Sequence, residues 1–112
     1  MTEFLQVSTA TDTRESAQNM ARSVVEARLA AGAQIVGPVA TVVLQEGEPV
    51  AGEEWRLLLD TQTDRYKDLE AHLLRLHTWH TPQIVAVPIA AGSDAYLCWV
   101  RSSTMAVSPA RP

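Results

Sequence analysis

Two histidines, His77 and His80, stand three positions apart in a short segment that also contains Trp79 and Pro82. Neutral imidazole nitrogens are ligands that Cu(II), Ni(II) and Zn(II) favour, so one loop carrying both rings can offer two nitrogen donors. Two donors make only a weak site, and a third group or another subunit must complete it. A structural interpretation stays open as well, in which His77 caps a helix C-terminus, where positive charge is favoured, and His80 is a solvated polar residue.

The single cysteine, Cys98, lies between Leu97 and Trp99 near the end of the chain. A lone cysteine among apolar neighbours usually behaves as a small buried hydrophobe. No basic residue is adjacent to favour the reactive thiolate. We therefore expect Cys98 to be buried and inert, and a single cysteine also rules out a disulfide within the chain.

Patterns that carry catalysis are missing from the sequence. It has no Ser-His-Asp order, no glycine-rich phosphate loop and no HExxH segment. Asp68 and His72 lie one helical turn apart, which suits an ordinary surface pair. Four acids lack the spaced ligands and glycine pivot of a calcium loop and are interpreted as solvated charges: Glu46, Glu48, Glu53 and Glu54. We expect a protein that is not an enzyme.

The composition limits the class of protein and of partner. The chain has 112 residues, 46% of them hydrophobic, which predicts one domain, residues 1–112, with a core over about 4–101. Thirteen acids outnumber nine Lys and Arg residues, whereas a nucleic acid or an anionic membrane would need a clustered basic face. The N-terminus lacks the features of a signal peptide and no apolar run is long enough to span a membrane, so we expect a cytoplasmic protein.

The first strand and the first helix are predicted from their periods. Residues 4–10 alternate in polarity, which is typical of a strand. Asp12, with Glu15 three positions later, is typical of a helix N-cap. An apolar stripe at helical spacing follows, and Gly32 is expected to end the helix. The stripe contains Ala17, Met20, Ala21, Val24 and Val25.

A long hairpin is predicted after this helix. Its first strand covers residues 34–45 with a bulge or bend at Gly37-Pro38, residues 46–49 form a turn, and residues 55–61 are the returning strand. Both faces of the first strand are largely apolar beyond Pro38. The hairpin is longer than a domain of this size needs to cover its own helices, which indicates self-association.

The remaining elements are a helix, a strand and a short helix. The helix should begin near Thr63 or Asp64, with a buried stripe and an exposed one. The buried stripe is Tyr66, Leu69, Leu73 and Leu76, and the exposed stripe is Arg65, Asp68, His72 and Arg75. Residues 83–88 form an apolar run typical of a central strand. Residues 92–94 cap the short helix, and residues 102–112 are expected to fray.

The predicted order is β-α-β-β-α-β followed by a short helix. It defines an α+β, ferredoxin-like sandwich with both main helices on one face of an antiparallel sheet. No helix is left to cover the other face, so its apolar residues must be buried by another subunit. We therefore expect the chain to self-associate.

Three segments, taken in order on this frame, carry a family resemblance. They are residues 21–31 (ARSVVEARLAA), 77–84 (HTWHTPQI) and 96–100 (YLCWV). Each is similar to a motif of the CutA family, the divalent-cation tolerance proteins, and the resemblance covers roughly residues 5–100. It implies a homotrimer whose hairpins pair between subunits, a cytoplasmic setting and a role in copper or divalent-cation homeostasis. It does not imply a reaction.

The same resemblance allows individual residues of this chain to be compared with the residues usual in the family. His77 matches the family histidine and Trp79 replaces a tyrosine, whereas His80 and Gln83 stand where the family usually has carboxylates. Gly32 stands where many members carry the cysteine proposed as a copper ligand. The site loses a thiolate and two oxygen donors and gains an imidazole, which argues against a physiological Cu(I) site but not against adventitious binding of Cu(II), Ni(II) or Zn(II).

Two functions therefore stay open. The first is a trimer that acts in divalent-cation tolerance and binds Cu²⁺ or another divalent metal weakly through His77 and His80. The second is a small-molecule-sensing or scaffolding trimer with ligand clefts between its subunits and no physiological metal site. The expected cleft residues are Arg22, Arg28, Trp79 and Gln83. Loss of the family acids and cysteine favours the second function.

Overall fold

A computed structural model describes residues 3–106 as a four-stranded antiparallel sheet with helices. In chain order the elements are β1 (Phe4–Thr11), α1 (Arg14–Glu26), β2 (Gly32–Gln45), β3 (Glu48–Gln62), a 3-10 turn (Thr63–Arg65), α2 (Tyr66–Leu76), β4 (Ile84–Pro88) and α3 (Asp94–Ser103). The strand order across the sheet is β2-β3-β1-β4. This is the ferredoxin-like α+β arrangement that the sequence predicts, with α3 added after it.

The main core lies between the sheet and the helices α1 and α2. Its buried residues are Val7, Ala17, Met20, Ala21, Val24, Leu29, Ala30, Leu57, Leu59, Leu69 and Leu73. The stripe predicted for α1 is confirmed apart from Val25, which is 37% exposed. The stripe predicted for α2 is confirmed at its centre but not at Leu76, which lies at the end of the helix and is exposed.

Both ends of α1 differ from the prediction. The N-cap is Thr13 and not Asp12, because the Thr13 side chain accepts a 3.0 Å hydrogen bond from the Ser16 backbone N–H. The helix ends at Glu26 and not at Gly32. Arg28 has a φ of 60°, and the amides of residues 28 and 29 donate to the carbonyls of residues 25 and 24. These contacts form a Schellman motif without glycine.

The hairpin of β2 and β3 is longer than predicted. Glu46 and Gly47 form a two-residue turn with φ values of 51° and 82°, the signs that a type I′ turn requires. The returning strand begins at Glu48 rather than Trp55, because residues 48–54 continue the ladder with β2. The bulge predicted at Gly37-Pro38 is confirmed by a register shift between Val36 and Val39.

The elements after α2 correct three further predictions. β4 is an edge strand and not a central one, since among residues 3–106 its one partner strand is β1. The α3 helix reaches Ser103, and Thr104 is fully buried, so the chain is folded two residues past the predicted start of fraying at residue 102. The rest of that predicted tail, residues 107–112, lies outside the described residues.

One end of the second sheet face is covered, contrary to the prediction that no helix lies there. Gln62 donates from Nε2 to Thr104 Oγ1 over 3.0 Å, and the Tyr96 hydroxyl donates to Asp60, so α3 packs on this face. Val85 and Val87 of β4 remain about half exposed on the same face. Within residues 3–106 there is no helix whose length and apolar character would let it cross a membrane.

Candidate functional site

The loop of residues 77–83, between α2 and β4, is attached to β1 at both of its ends. At its start, Nε2 of His77 lies 2.8 Å from Oγ1 of Thr9. At its end, Ile84 opens β4 directly opposite Thr9 in the β1–β4 ladder. His77 is also the C-cap residue of α2, the position that the structural interpretation predicted, with its amide donating to the Leu73 carbonyl over 3.0 Å. The positive charge expected there is disfavoured, because burial lowers the pKa of the His77 ring.

The two predicted metal ligands lie in different surroundings. The Nδ1 atom of His77 is buried and has no hydrogen-bond partner among the described residues. Burial lowers the pKa of His77 and so favours the neutral ring. His80 is exposed. No group of three or more His, Cys, Asp or Glu side chains in residues 3–106 is arranged to hold a metal ion, so the metal site stays a prediction.

A groove of about 780 Å³ separates this loop from the outer half of the hairpin. Trp79, Thr81 and Gln83 line it on the loop side, and Thr41 with residues 43–45 and 50–54 line it on the hairpin side. One Arg56 nitrogen donates to Gln83 over 3.0 Å and to Glu54 over 2.6 Å. The loop and the hairpin are therefore tied together beside the groove.

The acidic hairpin tip is exposed at three of its four positions, as the sequence predicts. These positions are Glu46, Glu48 and Glu53. Glu54 differs, because it is partly buried and forms the ion pair with Arg56. Only part of the acidic cluster is thus solvated charge, and the fourth carboxylate is neutralised at the groove wall.

One copy of the chain does not bring the four predicted cleft residues together. Trp79 and Gln83 line the groove described above, whereas Arg22 lines a separate groove against β2. Arg28 lies in the turn after α1, where its carbonyl accepts a hydrogen bond from Arg65 over 3.4 Å. Since β2 and β4 are opposite edges of the sheet, a shared cleft would need a second copy.

A hydroxyl–imidazole pair joins α1 to α2. Nε2 of His72 lies 2.8 Å from Oγ of Ser23, and an Arg75 nitrogen lies 3.4 Å from Nδ1. Arginine can only donate, so Nδ1 accepts and the proton lies on Nε2, which donates to Ser23. A hydrolytic base must instead accept from serine. Burial, and then Arg75, lower the pKa of His72.

The surface pair predicted for His72 is therefore wrong. His72 is half-buried against α1, and Asp68 pairs with Arg65 at 3.3 Å. The second hydroxyl–imidazole pair, Thr9 with His77, is no better suited to catalysis, because Thr9 is fully buried and no substrate can reach it. Both pairs act in packing.

Cys98 is exposed, so the prediction that it is buried is wrong. Val100 is fully buried and Leu97 packs against the same cluster. Because these two residues are three apart, they fix the inward side of α3, and residue 98 points away from it. Tyr96 and Trp99 are also exposed, with ring centroids 5.6 Å apart.

Thr9 and Arg56 complete the site and were not identified from the sequence. Thr9 follows Leu5 and Val7 in the inward row of β1. A hydroxyl in a buried row requires a hydrogen-bond partner, and this was an available signal. Arg56 stands beside three leucines of β3, and nothing local indicates its contact with Gln83.

Known proteins resemble the chain in both sequence and structure. Residues 5–103 match the family described as CutA1 divalent ion tolerance protein. The divalent-cation tolerance protein CutA of Thermus thermophilus is 39% identical over 90 residues, which cover 80% of this chain and 87% of that protein. The chloroplastic protein CutA of Arabidopsis thaliana is 34% identical over 81% of this chain, but the chain spans only 50% of that relative.

A solved structure agrees with these sequence matches. The divalent cation tolerance protein Cut A1 from Thermus thermophilus superposes with a TM-score of 0.88 at 35% identity, covering 91% of this chain and 99% of that one. The strand order, the hairpin and the 77–83 loop of this chain are thus set in a fold shared with that protein. The chain belongs to the CutA1 divalent ion tolerance family.

Proposed function

We propose that the chain is a homotrimeric binding protein of divalent-cation tolerance, copper included, that works in the cytoplasm and catalyses no reaction. Membership of the CutA1 family supports the role in tolerance. The Ser23–His72 pair is not arranged as a hydrolytic pair, since its Nε2 proton is directed at the serine. The metal would meet the chain at the 77–83 loop.

The exposed ring of His80 is the observation that carries the metal-binding proposal. The sequence predicts His77 and His80 as ligands, and only His80 presents an imidazole to solvent in the folded chain. A borderline divalent metal such as Cu(II) or Ni(II) accepts this donor. Further donors must come from another copy or from water, so the expected affinity is weak.

Isothermal titration calorimetry with Cu(II) or Ni(II) tests this proposal. The wild type should show saturable binding, and both His80→Ala and the double variant His77→Ala, His80→Ala should remove it. His72→Gln is the matched control, because it removes a histidine that is half-buried against α1. Binding by the double variant at wild-type affinity would remove the loop as the metal site.

The groove favours the alternative function, a small-molecule sensor or scaffold. Its volume of about 780 Å³ suits an organic ligand. In an assembly, Arg22 and Arg28 of a second copy would add cationic groups to the aromatic and amide walls formed by Trp79 and Gln83. Native mass spectrometry of protein purified from its own host should then detect a retained small molecule that Trp79→Ala loses. A trimer without any adduct would speak against this alternative.

A further inference from the structure

We propose that His77 is a positioning residue and not a metal ligand: it fastens the 77–83 loop to β1 through Thr9 and so holds Trp79 at the groove. The spacing of His77 and His80 predicts His77 as a metal ligand, and the surroundings of its ring do not fit that prediction. The use of the groove by a ligand rests on the proposed function, whereas the fastening itself does not.

The first step is the convergence of both loop ends on one buried residue. Thr9 is fully buried, and its hydroxyl lies 2.8 Å from Nε2 of His77. Its backbone pairs with Ile84, the first residue of β4. A buried hydroxyl without a partner is destabilising, so Thr9 itself needs the imidazole. Loss of this hydrogen bond releases the His77 side chain from β1, so the start of the loop is then held by the His77 amide at the end of α2 while the loop's end stays in the sheet.

The second step is that neither nitrogen of the His77 ring is free to bind a metal. A ligating nitrogen must direct its lone pair at the metal, and Nε2 of His77 is engaged with Thr9. The other nitrogen, Nδ1, is buried. A metal could therefore reach His77 only after the loop had left β1. His80, three residues later, is exposed in the folded loop.

The third step connects His77 to the groove. The His77 and Trp79 ring centroids are 5.8 Å apart with an angle of 36° between the ring planes, so the imidazole forms a wall for the indole. Trp79 in turn lines the groove. Gln83, at the far end of the loop, is held independently by Arg56. The consequence is that His77 controls the Trp79 side of the groove and not the Gln83 side.

The test compares three variants by hydrogen–deuterium exchange of residues 77–83 and by calorimetry with Ni(II). Thr9→Val keeps the imidazole but removes its hydrogen-bond partner, so exchange of the His77 amide, which donates to the Leu73 carbonyl at the start of the loop, should rise about tenfold or more. His77→Ala should do the same. His77→Gln supplies an amide to Thr9 and no imidazole, so exchange should return toward wild type and Ni(II) affinity should stay within about twofold of wild type.

Two results would overturn the inference. The first is a His77→Gln variant that loses Ni(II) binding while its loop exchanges as in the wild type, which would make His77 a ligand. The second is a Thr9→Val variant whose loop exchange is unchanged, which would remove the fastening. Failure of the proposed metal function gives a different result. In that case His80→Ala binds Ni(II) as the wild type does, while loop exchange still rises in Thr9→Val and His77→Ala.

Discussion

The hydrogen bond between His72 and Ser23 joins α2 to α1 and requires a neutral imidazole. Nε2 donates to the serine hydroxyl over 2.8 Å, and Nδ1 accepts from Arg75. A second proton would have to enter at Nδ1, facing the guanidinium. Burial is the largest cause of the lowered His72 pKa and Arg75 is the next. The charged groups beside Ser23 on α1 are Arg22 and Glu26, and neither forms a described contact with the ring.

Acid should destabilise the fold through His72. The pKa in the folded chain lies below the unfolded value of about 6.5, so the unfolded chain takes up the proton first. The stabilisation is fully present above about pH 6.5 and is lost as the pH falls from there through the folded pKa. Urea titrations at fixed protein concentration, at neutral pH and near pH 5, should show a lower midpoint in acid.

His72→Gln should reduce this pH dependence, because glutamine can donate to Ser23 and does not titrate. Because glutamine keeps this hydrogen bond, which contributes about 1 kcal/mol, the neutral-pH midpoint should change little. His80→Gln removes an exposed histidine and is the matched control, with the wild-type pH dependence expected. An unchanged acid slope in His72→Gln would assign the effect to other groups, and His77, whose pKa is also lowered by burial, would be the next to test.

The residues of the candidate site were predictable, but their contacts were not. Spacing and residue type identified His77, His80, Trp79 and Gln83 as one loop. The partner of His77, however, is 68 positions away along the chain, and only the sheet brings it close. The prediction that Cys98 is buried was wrong for a related reason, since its apolar neighbours in sequence do not reveal which side of α3 faces the core.

At the level of elements, the β2 bulge depends on Gly37. A Cβ at this position would lie 2.6 Å from Cε3 of Trp55, closer than real Cβ contacts allow. Trp55 packs against the core, and the Arg14 guanidinium lies 5.9 Å from its ring centroid. The indole therefore has little room to move, and Gly37→Ala should destabilise the fold by about 1–3 kcal/mol.

Denaturation followed by circular dichroism measures this effect, and Gly52→Ala is the matched control. Gly52 lies in the same hairpin, and a Cβ there would meet Oγ1 of Thr41 at 3.5 Å, an ordinary contact. The control should therefore unfold close to the wild type. Equal stability of Gly37→Ala and Gly52→Ala would mean that Trp55 adapts without cost.

Element types were readable from sequence, whereas several element ends were set by tertiary contacts. The sequence predicts that strand β3 starts at Trp55, and Pro49, Gly52 and the two glutamates before Trp55 are residue types that disfavour strands. Residues 48–54 pair with β2 nonetheless, since the type I′ turn at Glu46 fixes the register and pairing overrides local preference.

At the level of the whole molecule, the described chain measures 54 × 34 × 22 Å, and its hairpin extends with apolar side chains on both faces. Val42 is 72% and Leu44 is 78% exposed. Val43 and Val50, on the other face, are also exposed. Burial of one such side chain stabilises by about 1.5–3 kcal/mol, so association that buries these side chains is strongly favourable. A second copy of the same chain has matching apolar surfaces that would cover them.

For the proposed homotrimer, light scattering coupled to size-exclusion chromatography should give about three times the 12.2 kDa mass of one chain at micromolar concentration. Val42→Asp combined with Leu44→Asp places two charges on the hairpin and should lower this mass toward that of one chain, because a charge buried without a partner is strongly destabilising. Leu74→Asp is the matched control. Leu74 is 51% exposed on α2, which lies on the opposite side of the sheet from Val85 and Val87. The mass of this variant should equal that of the wild type. A wild type that elutes as a single chain would contradict the trimer, and equal effects of the hairpin and helix variants would show that added charge alone lowers the mass.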